Sequence, residues 1–236
     1  RGKLAEPNLI GGTGLPVGAC RAGEVPDYLG LNSLGTDYEL IYELDLNELQ
    51  GTINYSIDHS EDIASFDRIG YLVELESSAY GNQALFVSMD AFTDDVKKIA
   101  VPQTSAGVFF QQSVHGLESD STVNSLNHKN IEGNIEFWPN NYAQHNEANI
   151  SGASDSLFDF GDSMAEPVDG YGSMQVHNTQ GKQTLFAFNH WRTGQAADLG
   201  IGNSTGSTRD WTFTRNAGDY SHKRLRIYVR PTTRAE

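Results

Sequence analysis

Period-two alternation of apolar and polar residues, repeated in about ten short runs along the chain, is the feature that most limits what this sequence can fold into. "DYELIYELDL" sets Tyr38, Leu40, Tyr42 and Leu44 on one face and Glu39, Ile41 and Glu43 on the other, as in a half-buried strand. Similar runs follow at "TINYSI", "RIGYLVELES", "ALFVSMDAF", "GVFFQQSVHGL", "GNIEFWPN", "SMQVHN", "QTLFAFNHW", "DWTFTRN" and "KRLRIYVRP". Clusters of Gly, Asn, Asp and Ser separate them, which suits antiparallel strands joined by turns. Helical periodicity is confined to "TDDVKKIAVP", where a Thr or Asp cap precedes spaced apolar residues and Pro102 ends the element quickly. The expectation is an all-β fold, an antiparallel β-sandwich of jelly-roll type with little helix.

At 236 residues the chain has the size of one large β domain, and neither an internal repeat nor a linker divides it. Residues 1–36 are rich in Gly and Pro and read as an irregular N-terminal wrap on a single domain spanning 1–236. "LESDSTVNSLNHKN" (117–130) reads as a long polar loop. The opening "RGKLAEPNLIGG" has no charged start, apolar block and small-residue cleavage site, so an excised or mature piece is expected.

Sixteen basic residues against thirty-one acidic ones leave a formal net charge of −15. That charge opposes binding to nucleic acid and to anionic membranes. No apolar run is long enough to span a bilayer as a helix. Cys20 is the only cysteine, which rules out an internal disulfide within this sequence and a thiolate zinc site; a small buried hydrophobe is its plain reading.

Chemistry concentrates first in "YGSMQVHNTQGKQTLFAFNHW" (171–191), two alternating runs that read as a hairpin. Alternation sends Met174 and Val176 to the core and Gln175 and His177 to the opposite side, where a groove could use them. On the second run it groups Leu185, Ala187, Asn189 and Trp191 against Phe186, Phe188 and His190, with Arg192 just beyond the strand end. Amides, imidazoles and a ring together suit a carbohydrate, whose C–H faces stack on aromatics and whose hydroxyls need polar partners. The plainer alternative is an ordinary solvent face, or a core position for Trp191. A second concentration, "EFWPNNYAQHNEAN", places Trp138, Asn141 and Tyr142 directly after a strand, where turn chemistry is the competing explanation.

The terminal run "HKRLRIYVRP" carries an arginine stripe, Arg224, Arg226 and Arg230. Arginine forks match sulfate and carboxylate, so Arg226 could contact an acidic glycan; pairing with Glu39 and Glu43 or with Glu74 and Glu76 on neighbouring strands is the favoured explanation. Acidic residues gather in Gly-rich connections, Asp155, Asp159, Asp162, Glu166 and Asp169 in one stretch and Asp90, Asp94 and Asp95 in another. They suit a structural calcium, although the spacing is not that of an EF-hand and solvated turns explain them too. No cofactor is required, and which residues would hold a metal is left open.

The sequence has no Gly-x-Ser-x-Gly elbow, HExxH helix or P-loop. Gln175-Val176-His177 resembles the Gln-[Ile/Val]-His strand motif of jelly-roll alginate lyases, but that family's Arg-rich early strand and Tyr-Phe-Lys-Ala-Gly terminal strand have no counterpart, and no catalytic residue is assigned. A broader resemblance rests on "YLVELES", "VSMDAFTDD", "NIEFWPNNY", "YGSMQVHN", "TLFAFNHW", "DLGIGNS", "DWTFTRNAGDY" and "KRLRIYVRP". Together these are similar to a β-sandwich domain appended to carbohydrate-active and sialate O-acetylesterase-like proteins of aquatic bacteria. That resemblance implies an extracellular or cell-surface, glycan-processing setting with a parent catalytic domain in the same polypeptide, and it does not identify a ligand; the expected ligand is a polysaccharide, marine or other, acidic or neutral. The expected function is a noncatalytic carbohydrate-binding module contacting its ligand through Gln175, His177, Asn189, His190, Trp191 and Arg192, with Trp138, Asn141, Tyr142 and Arg226. A jelly-roll polysaccharide lyase acting on a uronate-containing glycan is the alternative.

Overall fold

The computed structural model describes residues 37–47, 54–76, 82–101, 110–122, 126–138, 170–181, 183–191, 198–202 and 221–232. Its strands are β1 (Glu39–Asp45), β2 (Ile57–Asp58), β3 (Phe66–Glu76), β4 (Gln83–Asp90), β5 (Phe110–Ser121), β6 (His128–Trp138), β7 (Gly170–Asn178), β8 (Gln183–Trp191), β9 (Asp198–Ile201) and β10 (His222–Pro231). Hydrogen bonding joins all ten into one antiparallel sheet of order β2-β1-β10-β3-β4-β5-β6-β7-β8-β9. From β3 to β9 each strand lies beside its successor in the chain, the economical result of short connections. β10 departs from that rule and slots between β1 and β3.

The sheet curls over one face until β8 and β9 approach β3 and β4 across the interior. The sandwich anticipated from the sequence is thus one continuous sheet folded toward itself, the shape that accumulated strand twist favours. The fold is all-β and antiparallel. Among the described residues helical structure consists of 3-10 turns at Ser60–Asp62 and Val96–Ile99, with Leu126 also in 3-10 conformation. The second lies inside "TDDVKKIAVP", where the Asp95 side chain accepts from Lys97 N at 2.9 Å.

Alternation decides what enters the curl. Ile69, Tyr71, Val73 and Leu75 of β3 meet Leu85, Val87 and Met89 of β4, Leu225, Ile227 and Val229 of β10, and Met174, Val176, Phe186 and Phe188 of the β7–β8 hairpin in one cluster. Each such side chain contributes about 1.5–3 kcal/mol of transfer free energy when fully buried. Tyrosine hydroxyls then fix the irregular stretch 96–101 against this core. Tyr42 donates to Val96 O at 3.0 Å, Tyr71 to Ile99 O at 2.8 Å and Tyr55 to Val101 O at 3.2 Å.

Four expectations change in detail. The register of β1 against β10 shifts between Leu40 and Tyr42. This bulge turns the strand over: Tyr38 joins an outer cluster with Leu72, Phe86 and Tyr228, with Leu40 packed against it, while Ile41, Tyr42 and Leu44 enter the main core. Simple alternation had grouped Tyr38 with Tyr42 and placed Ile41 opposite. A second register shift, between Val176 and His177 on β7, puts both Leu185 and Phe186 inward, so Leu185 does not share the face of Ala187. Third, "LESDSTVNSLNHKN" is largely strand: β5 runs to Ser121 and β6 starts at His128. Its inward hydroxyls find backbone acceptors, Ser119 at Leu126 O and Ser121 at Ala84 O, 2.5 and 2.7 Å away, so a polar sequence can still enter the sheet. Fourth, β9 lies in "DLGIGNS", too short to show a period of its own. The N-terminal wrap with Cys20, the run "DWTFTRN" and the acidic residues Asp155 to Asp169 fall outside the described residues.

Candidate functional site

Beside the outer cluster of Tyr38, Leu72, Phe86 and Tyr228, the face turned away from the core carries polar rows. On β6 and β7 these are Asn134, Glu136, Gln175 and His177, flanked by Thr184 of β8. Antiparallel register sets Asn134 opposite His177 and Glu136 opposite Gln175. Met174 and Val176 point into the core, and Gln175 and His177 to the other side, as period two requires. Yet Gln175 and His177 are each 0% exposed. Neither presents itself to a ligand at the surface.

His177 Nε2 lies 2.8 Å from Gln175 Oε1, and Nδ1 lies 3.3 Å from the Asn134 side-chain amide. Burial pushes the imidazole pKa down to about 3, so the ring is neutral with one N–H across the physiological range. Both partners are amide oxygens, Gln175 Oε1 and Asn134 Oδ1, so a neutral ring donates to only one of them, and the shorter distance favours Gln175. A ring held in this way is a poor general base, because useful catalytic bases titrate near the working pH. Sequence reasoning noticed Gln175 and His177 and passed over Asn134 and Glu136. "GNIEFW" carries the same alternation, with Asn134 and Glu136 between apolar neighbours, and that signal could have identified them.

The arginine stripe is built into the sheet. Arg226, 4% exposed, donates from Nε to Glu43 Oε2 at 2.8 Å and lies 3.7 Å from Glu74 Oε1 through Nη1. Burial alone would favour the neutral guanidine, but the Glu74 and Glu43 carboxylates reverse that and raise its pKa. Burial also pulls the Glu43 carboxyl upward, and the hydrogen bond and charge of Arg226 outweigh it to leave a lowered pKa. Arg230 holds Asp67 with two bonds, at 2.7 and 2.9 Å. Cross-strand pairing therefore accounts for Arg226 and Arg230, with Glu43, Glu74 and Asp67 as partners. Arg68, which sequence reading missed, forms a third such centre: it donates to Tyr38 Oη, Asp90, Ser88 and the Gly116 carbonyl at 2.7–3.1 Å.

Register brings together two stretches that are far apart in the chain. Trp138 pairs with Ser173, and Ser173 pairs with Asn189, so the ends of β6 and β8 flank β7 in one row. His190 lies opposite Tyr171, and Trp191, the last residue of β8, lies opposite Gly170. The Trp138 and Asn189–Trp191 positions thus occupy the same end of the sheet, two rows beyond the buried Glu136–Gln175 pair. Asn141, Tyr142 and Arg192, which continue these strands in sequence, lie outside the described residues.

The acidic turn between β4 and the 3-10 helix is occupied by structural contacts. Asp90 receives Arg68 at 2.7 Å, and Asp95 caps the helix. Among the described residues no three His, Cys, Asp or Glu side chains gather closely enough to hold a metal ion, and no helix is long and apolar enough to cross a membrane.

No family model matches this chain, and neither a curated protein nor a solved structure does.

Proposed function

We propose that this chain is a noncatalytic carbohydrate-binding module of a larger secreted carbohydrate-active protein, recognising a polysaccharide at the sheet end where β6, β7 and β8 meet. The observation that carries the reading is the row Trp138–Ser173–Asn189, extended by His190 and Trp191. It juxtaposes the two parts of the sequence richest in rings and amides, the combination that suits sugar faces and hydroxyls. Asn141, Tyr142 and Arg192 follow within a few residues of that row. Gln175 and His177 lie behind it as a buried hydrogen-bonded layer that supports the strands. Because Arg226 is held by Glu43 and Glu74, the ligand does not need to be anionic.

Affinity gels containing neutral and acidic polysaccharides, read together with the ultraviolet absorbance of any unsaturated product, test this proposal. Retention without product is expected. Trp191→Ala should weaken retention about five- to a hundredfold, equivalent to about 1–3 kcal/mol of stacking, with an unchanged circular dichroism spectrum. Product from a uronate polymer would replace the proposal with the lyase reading. An unfolded Trp191→Ala protein would place that ring in the core.

A further inference from the structure

Beside β1 lies a cavity of about 290 Å³, lined by Glu39, Leu40, Ile41, His59, Asp62 and Ile63. It forms because β2 pairs only with Tyr42 and Glu43, which leaves the first half of β1 without a strand on its outer side among the described residues. Residues 59–63 take that place. The His59 amide donates to Ile41 O at 2.8 Å, and its Nδ1 lies 3.2 Å from Leu40 O. The bulge between Leu40 and Tyr42 lets three successive residues of β1 line one hollow. His59 and Asp62 are exposed, so the hollow opens to solvent, unlike the enclosed polar layer of Gln175 and His177.

The polar part of this lining accepts hydrogen bonds. A carbonyl cannot donate, so the bond from His59 to Leu40 O needs the proton on Nδ1 and leaves Nε2 of the neutral ring as an acceptor. Glu39 and Asp62 add two carboxylates, neither with an ion-pair partner among the described residues. Leu40, Ile41 and Ile63 supply the apolar wall. The surroundings are negative as well. Asp37, Asp58 and Glu61 lie within two residues of the lining in sequence, and Lys97 is already bonded to Glu61 at 3.0 Å. Burial first, and then the charges of Asp58, Asp95 and Glu61, raise the pKa of neighbouring Tyr42 against a hydrogen bond with Ser60.

We propose that this hollow binds a small organic cation, a primary ammonium carried on an alkyl or sugar-ring frame. An ammonium has only donors and so matches an acceptor lining, while the frame packs on Leu40, Ile41 and Ile63. An anion would be repelled by both carboxylates. A metal ion is a poorer match, because no three ligating side chains gather closely enough among the described residues. The volume is at the lower limit of ligand pockets, which suits one ring or a short alkyl chain. The site does not depend on the glycan-binding reading, since β1 and β8 lie toward opposite edges of the strand order.

The test titrates the whole chain at low, fixed ionic strength with glucosamine, diaminopentane and, as the uncharged comparison, N-acetylglucosamine, following amide and imidazole resonances by NMR. Saturable shifts are expected at Ile41, His59 and Ile63 with the amines, far smaller ones with N-acetylglucosamine, and loss of binding as salt is raised. Glu39→Gln and Asp62→Asn should each weaken amine binding about two- to fivefold, and together about tenfold, with an unchanged circular dichroism spectrum. Glu118→Gln makes the same charge change on β5 and should leave binding as it is. Tighter binding of glucosamine than of the diamine identifies an amino sugar as the source of the ammonium, and the reverse identifies an alkyl amine; either supports the site. Three results would each overturn it: no saturable shift at these residues, N-acetylglucosamine binding as tightly as glucosamine, or Glu118→Gln weakening binding as much as Glu39→Gln, which would reduce the effect to net charge.

Discussion

Removing the Arg226 guanidinium should be among the most destabilising single changes on the outer face. Its side chain is 5% exposed, between Glu43 at 17% and Glu74 at 9%. Arg226→Ala therefore leaves two largely buried carboxylates without their counter-charge. Breaking one side of a buried ion pair costs about 3–5 kcal/mol. Glu43 keeps a bond from Ser56 Oγ at 3.1 Å and some access to water, which argues for the lower part of that range. In a domain of this size the loss corresponds to a fall in melting temperature of about 6–20 °C. Urea unfolding followed by circular dichroism measures it, with an unchanged slope expected if only the native state is affected. The sign of the pH dependence follows from Glu43. Its folded pKa is depressed, so its contribution is present above the ordinary carboxylate range and disappears as pH falls through the folded value. Wild type and Arg226→Ala should therefore converge in stability in acid. Combining Arg226→Met with Glu43→Gln and Glu74→Gln should recover most of the loss, because no charge is then left buried. A loss below about 1 kcal/mol for Arg226→Ala, the size of an exposed pair, would refute the argument.

Further outcomes follow from other packed groups. With the His177 pKa lowered to about 3 in the fold, the unfolded chain binds the extra proton first as pH drops below the normal imidazole value; stability should fall from there toward pH 3, and the His177 ring resonances should stay constant by NMR between neutral pH and about 5. A Cβ on Gly70 would lie 2.4 Å from Phe86 Cζ, so Gly70→Ala should cost about 1–3 kcal/mol in thermal or urea unfolding as the Phe86 ring is displaced. Tyr71→Phe removes the bond to Ile99 O and leaves that buried carbonyl unmatched, which should cost about 1–3 kcal/mol and speed amide exchange in residues 96–101.

How far the sequence reaches is clearest on β7 and β10. Period two correctly put Met174 and Val176 in the core and Gln175 and His177 opposite, because side-chain direction along a strand is a local property. The same property made the β10 arginines a stripe, and the surplus of acidic residues made their pairing with neighbouring strands the natural outcome. Both bulges defeated local reasoning. The extra residue at Ile41 and the register shift that turns Leu185 inward are accommodated by the partner strands, and nothing in "ELIYEL" or "TLFAF" announces them. Polar strands were hidden for a related reason, since Ser119 and Ser121 enter the sheet only through acceptors at Leu126 and Ala84, one of them on another strand. Burial of the outer face was also beyond sequence: a polar residue on the side away from the core looks solvent-facing until the packing over it is known, and His177 proves fully enclosed. Tertiary structure alone brought Trp138 beside the Asn189–Trp191 end, set Arg224 beside the carboxylates of Glu43 and Glu76 and placed β10 between β1 and β3. Each depends on which strands become neighbours, a choice made by closing one curled sheet around a shared core, whereas alternation fixes only which way each residue of a strand points.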